Sequence, residues 1–244
     1  MKKRTALILL ALTLILLTGC AGREEVSPYA DIPKPKAVIT MESGATMTFT
    51  LDPASAPNTV SNFITLANTG FYDGAKIDYV YPTYFMKIGD IAGDGTGEPG
   101  YAIAGEFSKN GYTMNNLSHE RGVISMCRLE NDYNSAGCQF FIMQSTRLEY
   151  DGDYAAFGWI EPGDAVSLKT LDDLCFVSLD KNYRPLIKQT IASIRVDTKG
   201  YDYTVIKYGE EITPTPPPEP TPDPFTLQEE TEPQNTPEPL GGNL

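Results

Sequence analysis

Hydrophobic and polar residues alternate with a period of two over much of this chain, and in two places the period lengthens to that of a helix. The stretch "AVITMESGATMTFTLD" consists of two alternating runs around Ser43-Gly44, the pattern of a hairpin whose strands each bury one face. Further runs of strand type are "KIDYVY", "YFMKI", "GVISMCR", "CQFFIMQ", "AAFGWI" and, later, "TIASIRVDT". Between Pro57 and Gly70 the apolar residues Val60, Phe63, Ile64 and Ala67 recur at helical spacing. This predicts an amphipathic helix with a proline in its first turn and a glycine as its stop. A second helix is predicted from Asp164 through Val166, Leu168, Leu171 and Leu174. Many short strands with two helices describe an antiparallel sheet or barrel with helical plugs, and no internal repeat is visible.

The two ends depart from this pattern. The chain opens "MKKRTALILLALTLILLTGC", three cationic residues before an apolar run, which reads as a secretory signal over residues 1–19. Leu17-Thr18-Gly19-Cys20 resembles the lipobox of bacterial lipoproteins. That resemblance implies a lipidated Cys20 as the new N-terminus, holding the protein to the extracytoplasmic face of the cell membrane. A bilayer span needs about 20 apolar residues, and the run from Ala6 to Leu17 is shorter. Two or three acyl chains, at roughly 0.8 kcal/mol per buried methylene, would be anchor enough. Residues 20–35 then form the lipidated cysteine and a polar linker. Residues 209–244 hold ten of the chain's 19 prolines, with no Lys or Arg after Lys207, and read as an acidic, disordered or polyproline-like tail. The tail reads first as a spacer that repels its neighbours and second as a ligand for its own domain. One globular domain remains, over residues 36–208.

Charge and composition narrow the chemistry. The formal charge of −13 becomes −16 once Lys2, Lys3 and Arg4 leave with residues 1–19, so nucleic acid is not an expected partner. Cys127, Cys138 and Cys175 are odd in number and lack CxxC spacing. They read as small buried thiols rather than a disulfide framework, although one pair could close after export. The single histidine, His119, reads as a structural loop residue, and without a His/Cys/carboxylate cluster no metal site is expected. "GDGTGEPG" lacks the Gly-Lys-Ser/Thr ending of a phosphate loop and reads as turns.

The order of motifs is more specific than any one of them. "NFITLANTGFYDG", "FMKIGD", "GDGTGEPGY", "RGVISM", "NSAGCQFFI" and "DGDYAAFG" succeed one another across residues 36–208. This series resembles the cyclophilin-type peptidyl-prolyl isomerases. The resemblance implies a mainly β fold: a closed eight-stranded antiparallel barrel capped by two helices, with an outer groove that takes an X-Pro segment. Phe63, Val123, Ile124, Phe140 and Trp159 would fill the barrel. The implied reaction breaks no bond and needs no nucleophile, metal or cofactor. Rotation about X-Pro must cross roughly 20 kcal/mol because the amide loses its conjugation. An apolar seat for the proline ring and a donor to the twisted imide nitrogen lower that barrier.

In the family the donor is an arginine within a Phe-His-Arg triplet after the "GFYDG" turn. In an ungapped register from Gly70 to Asp90 the triplet becomes Ile77-Asp78-Tyr79, so Tyr79 occupies the arginine position. In the same register Tyr84-Phe85 replaces a Phe-Met pair and Lys87 replaces a glutamine; a one-residue shift would restore Phe85-Met86 but needs an insertion and a deletion. Phe141 matches the phenylalanine that floors the proline pocket, and Gln139 the glutamine that contacts substrate backbone. Cys127 stands where the family has alanine, with Arg128 after it. Glu149 and Tyr150 replace Trp-Leu, and Tyr154 replaces the pocket histidine, as in bacterial members. The expected site is therefore Tyr79 and Lys87 for catalysis, with Tyr84, Phe85, Cys127, Arg128, Gln139, Phe141, Tyr150 and Tyr154 binding substrate. The function implied is isomerisation of X-Pro segments in exported proteins, by a monomer and at a reduced rate, with Lys87 or Arg128 as substitute cation. The alternative is a proline-peptide binding module that has lost most turnover; a purely structural surface protein fits less well, because Phe141 and Gln139 persist.

Overall fold

The computed structural model describes Ser27 and residues 29–210 apart from Asp94; the signal, Cys20 and most of the proline-rich tail lie outside these residues. Eight strands carry the fold: β1 (Lys36–Met41), β2 (Thr46–Leu51), β3 (Ile77–Tyr81), β4 (Phe85–Ile88), β5 (Val123–Met126), β6 (Phe140–Met143), β7 (Ala155–Trp159) and β8 (Ile191–Asp197). Among the described residues two α-helices accompany them, α1 (Pro57–Asn68) and α2 (Ala165–Cys175). Every run that alternates in the sequence forms a strand, and both stretches of helical period form helices.

The strands lie in the order β3-β4-β6-β5-β7-β2-β1-β8, each antiparallel to its neighbours. This corrects the expectation of a closed barrel: the sheet is a curled half-barrel with β3 and β8 as its ends. The physical reason is visible at β3. The N–H of Val80 donates to the carbonyl of Tyr183 at 2.9 Å, so the loop before β8 takes the outer edge of β3. The two end strands come together through the residues just before them: Ile77 N–H donates to Gln189, Ile191 N–H to Ala75 and Gly74 N–H to Ile191 at 3.0, 2.8 and 2.9 Å, and Lys76 pairs with Thr190.

Helix α1 starts on Pro57 without a cap from Ala56. Its free N–H groups are met instead by a distant carboxylate: Glu106 accepts from the N–H of Asn58 and of Thr59 and from the Thr59 hydroxyl, at 3.0, 2.8 and 2.7 Å. At the other end Gly70 adopts φ +79°, with Gly70 N–H to Ala67 and Phe71 N–H to Leu66 closing a Schellman motif. Helix α2 is capped as its sequence indicates, Asp164 accepting from Ser167 N–H at 3.0 Å.

The main core holds Phe49, Phe63, Tyr72, Phe140, Phe157, Met86, Ile124 and Ile142, all fully buried. Val123 and Trp159 do not join it, contrary to expectation. They belong with Phe141, Met143 and Ala156 to a second cluster on the opposite face of the sheet. Adjacent strand residues point to opposite faces, so Val123 and Ile124 cannot share one core. Cys127, Cys138 and Cys175 are free thiols; Cys138 and Cys175 are buried and Cys127 is partly exposed.

Candidate active site

The second cluster floors a groove of about 650 Å³. Strand pairing places Lys87 on β4 and Ser125 on β5 directly beside Phe141 on β6. Because the faces alternate, Phe85 and Lys87 look towards the groove while Met86 and Ile88 are fully buried in the main core. The one-residue shift would have brought Met86 to the groove. Phe141 is 4% exposed, and its ring lies 5.3 Å from Phe85, 6.0 Å from Tyr150 and 5.4 Å from Tyr154. The four rings make an apolar seat.

Polar groups line the next segment of the groove. Lys87 Nζ donates to Gln139 Oε1 at 3.0 Å. The Gln139 amide donates to the carbonyls of Gly95 and Gly97 at 3.1 and 3.0 Å. Those glycines belong to the loop that the sequence reads as turns, and the Asp90 carboxylate accepts the N–H of both. Gly89, at φ +100°, brings this loop against β6: a Cβ there would lie 2.4 Å from the Cys138 carbonyl oxygen. Burial pushes the Cys127 thiol, which faces the same cavity, up to about 12, so it stays neutral and presents a small apolar wall.

Arg128 lines the groove but is committed elsewhere. Its guanidinium donates to the carbonyls of Asp153, Leu129 and Glu130 at 3.0, 2.9 and 2.9 Å. It also lies 4.7 Å from the ring centres of both Tyr133 and Tyr154. Of the ten expected site residues, two lie off the cavity wall. Tyr79 sits opposite Lys87 on β3, yet its ring packs on Phe85, Tyr81 and Tyr183 at 6.2, 6.4 and 5.6 Å. Tyr84 packs on Tyr81 with the ring planes tilted by 48° and lies beneath the Arg147 guanidinium, 3.6 Å from its ring centre. Lys87, Phe85, Cys127, Arg128, Gln139, Phe141, Tyr150 and Tyr154 all line the cavity.

Three groups that sequence reasoning left aside stand directly behind the floor. His119 is fully buried, and its ring stacks on Phe141 at 5.9 Å with planes 14° apart. Nδ1 lies 2.8 Å from Asp151 Oδ1 and Nε2 2.9 Å from Ser125 Oγ. A carboxylate beside Nδ1 fixes the proton there, leaving Nε2 to accept from the serine hydroxyl. Burial holds the histidine pKa below its ordinary value, with Asp151 opposing. Asp78 is the other omission. It accepts the N–H of Asp90 at 2.9 Å, and burial, aided by the Asp90 charge, pushes it up to about 6. A lone histidine and a polar residue inside a strand carry no periodic signal, so only the fold shows that they stand behind or beside the groove wall.

Similarity to known proteins agrees with this geometry. The model of the family described as cyclophilin type peptidyl-prolyl cis-trans isomerase/CLD matches residues 37–196. Peptidyl-prolyl cis-trans isomerase B of Bacillus subtilis is 39% identical over 123 residues, covering 50% of this chain and 81% of that protein. A peptidyl-prolyl cis-trans isomerase of Synechococcus elongatus is 36% identical over 139 residues, 57% of this chain and 88% of its own. Among solved structures, a Cryptosporidium parvum cyclophilin type isomerase, crystallised in the presence of the dipeptide Ala-Pro, superposes with a TM-score of 0.58 at 25% identity, covering 66% of this chain and 98% of that one. With a curled eight-stranded sheet, an aromatic seat on its outer face and a family match over most of that sheet, the chain belongs to the cyclophilin-type peptidyl-prolyl cis-trans isomerases.

Proposed function

We propose that the chain isomerises X-Pro bonds with Lys87 in place of the missing arginine, at a reduced rate, on exported proteins and from a lipid anchor at Cys20. The observation that carries this is the position of Lys87. It lies beside the Phe141 floor, opposite Tyr79, with its ammonium 3.0 Å from Gln139 Oε1. A proline ring seated among Phe141, Phe85, Tyr150 and Tyr154 would hold its imide nitrogen within reach of that ammonium. As the amide twists, the nitrogen lone pair localises and gains basicity. A cation near it stabilises the twisted state more than the planar one, which is the condition for catalysis. Arg128 is the weaker candidate because three carbonyls and two tyrosine rings already hold its guanidinium. Tyr79 can offer only a neutral hydroxyl, since burial raises its pKa further.

The test is exchange spectroscopy on a short X-Pro peptide, which reports binding and turnover separately. Wild type should turn the peptide over weakly. Lys87→Ala should lower kcat at least tenfold with affinity changed less than about threefold, and Tyr79→Arg should raise turnover at least tenfold, on the order of 1.4 kcal/mol. Turnover equal to that of an arginine-bearing relative, unmoved by either substitution, would place the active groove elsewhere. The second reading is a proline-peptide binding module, supported by the position of Tyr79 behind Phe85 and off the cavity wall. It predicts binding without turnover, and no change in kcat on Lys87→Ala.

A further inference from the structure

The groove does not end at Gln139. It continues past Gly97, Tyr101 and Ala102 to Tyr208, which also lines a neighbouring cavity of about 520 Å³ beside Tyr29 and Tyr112. The chain is pinned at that rim. Asn58 exchanges two hydrogen bonds with Ile206, both at 2.8 Å, Tyr208 N–H donates to the Ala102 carbonyl at 2.7 Å, and the Lys207 ammonium lies 5.6 Å from the Tyr101 ring centre. The polypeptide therefore leaves the domain at the mouth of its own substrate groove. Its next stretch is "EITPTPPPEPTPDP", residues 211–224, with seven prolines, three carboxylates and no cation.

We infer that residues 212–224 occupy the groove of the same molecule as a tethered X-Pro ligand that competes with substrate. The inference rests on the reading of the groove as an X-Pro site. The reach is sufficient. Pro214 and Pro224 lie six and sixteen residues beyond Tyr208, which at about 3.1 Å per residue in polyproline conformation spans roughly 19 to 50 Å. A domain of this size has a radius of gyration of only about 16 Å. The chemistry is complementary: the rings around Phe141 suit proline, and Lys87 and Arg128 on the cavity wall would meet a segment that carries Glu219 and Asp223. Glu98 and Asp132 also line the cavity and oppose this attraction. Tethering supplies an effective concentration in the mM range, enough for a weak ligand to be bound much of the time yet displaced by a client. Such a ligand raises KM for peptides and leaves kcat alone, since it binds the free groove only.

Three proteins test this: the full chain, the chain ending at Glu210, and the full chain with all seven prolines from Pro214 to Pro224 changed to alanine. Amide shifts of Lys87, Gln139, Phe141 and Tyr154 should differ in the full chain from both others and be independent of protein concentration. Both altered proteins should show KM for a short X-Pro peptide at least threefold lower, with kcat unchanged. Identical groove shifts in all three would overturn the inference. So would shifts that grow with concentration, which mean binding between copies, or shifts confined to Tyr29 and Tyr112, which place the tail in the neighbouring cavity. If the chain ending at Glu210 neither binds nor turns over the peptide, the X-Pro reading of the groove fails, and the shift comparison still reports whether the tail sits there.

Discussion

Two titratable residues near the groove, half-buried Asp78 and fully buried His119, pull stability in opposite directions as pH changes. Asp78 is held up to about 6 by burial and by Asp90, above the ordinary value of about 3.9. The folded state thus binds its proton more tightly than the unfolded state. Its cost to stability is absent below about pH 4 and full above pH 6. Asp78→Asn, which keeps an acceptor for the Asp90 N–H, should raise the urea midpoint at pH 7.5 and leave it unchanged at pH 4. His119 has the reverse sign, because its depressed pKa makes the folded state resist protonation. Its contribution is present above about pH 6.5 and lost as pH falls. Removing the hydroxyl behind it by Ser125→Ala leaves a buried ring nitrogen without its donor, at a cost of about 1–3 kcal/mol. The same change frees the Phe141 floor to shift, so KM for an X-Pro peptide should rise with the loss of stability. At this scale the sequence was half legible. Phe141, Gln139 and Lys87, which line the cavity, could be picked out because a motif surrounds each. His119, Ser125 and Asp151 were not, because their meeting depends on contacts across 6 and 32 residues of chain.

The elements were legible almost throughout, since periodicity reports which face is buried and burial is what forms strands and helices here. Two features escaped it. One is the start of α1, where the sequence offers proline but no side-chain cap and the missing acceptor comes from Glu106, 47 residues away from Thr59. Glu106→Ala should cost on the order of 2 kcal/mol, the upper range for a lost cap, and hydrogen exchange should accelerate at Asn58 and Thr59 before the rest of α1. The other is the close approach after β4. Gly89→Ala would drive a methyl into the Cys138 carbonyl and strain a left-handed backbone. The expected result is a large drop in melting temperature, and loss of the Lys87–Gln139 contact in whatever fraction still folds. The identity of the core also required the fold: Val123 and Trp159 lie on strands that were read correctly, but which face looks inward is settled by neighbours on β2 and β6.

At the scale of the whole molecule, the fold class was readable from the order of motifs, and the closure of the sheet was not, because it turns on one loop taking the edge of β3. Attachment is proposed through Cys20. Cys20→Ser should release the chain from membranes or leave it unprocessed, read by fractionation and by the mass of the mature protein; normal cleavage with retention on membranes would refute it. If the proposed anchor holds the chain at Cys20, the strand pairing has a mechanical consequence. Lys36 at the start of β1 lies opposite Asp197 at the end of β8, so the first and last strands release their chains side by side. A load applied between the two ends unzips that pair one hydrogen bond at a time instead of shearing all of them together, and such a geometry yields at low force. The contacts of residues 198–208, which lie outside β8, give way before the sheet does. Tension would therefore peel the C-terminal segment off the mouth of the groove first, while β3, β4, β6 and β5, which frame the aromatic seat at the opposite end of the sheet, stay paired and ready to bind.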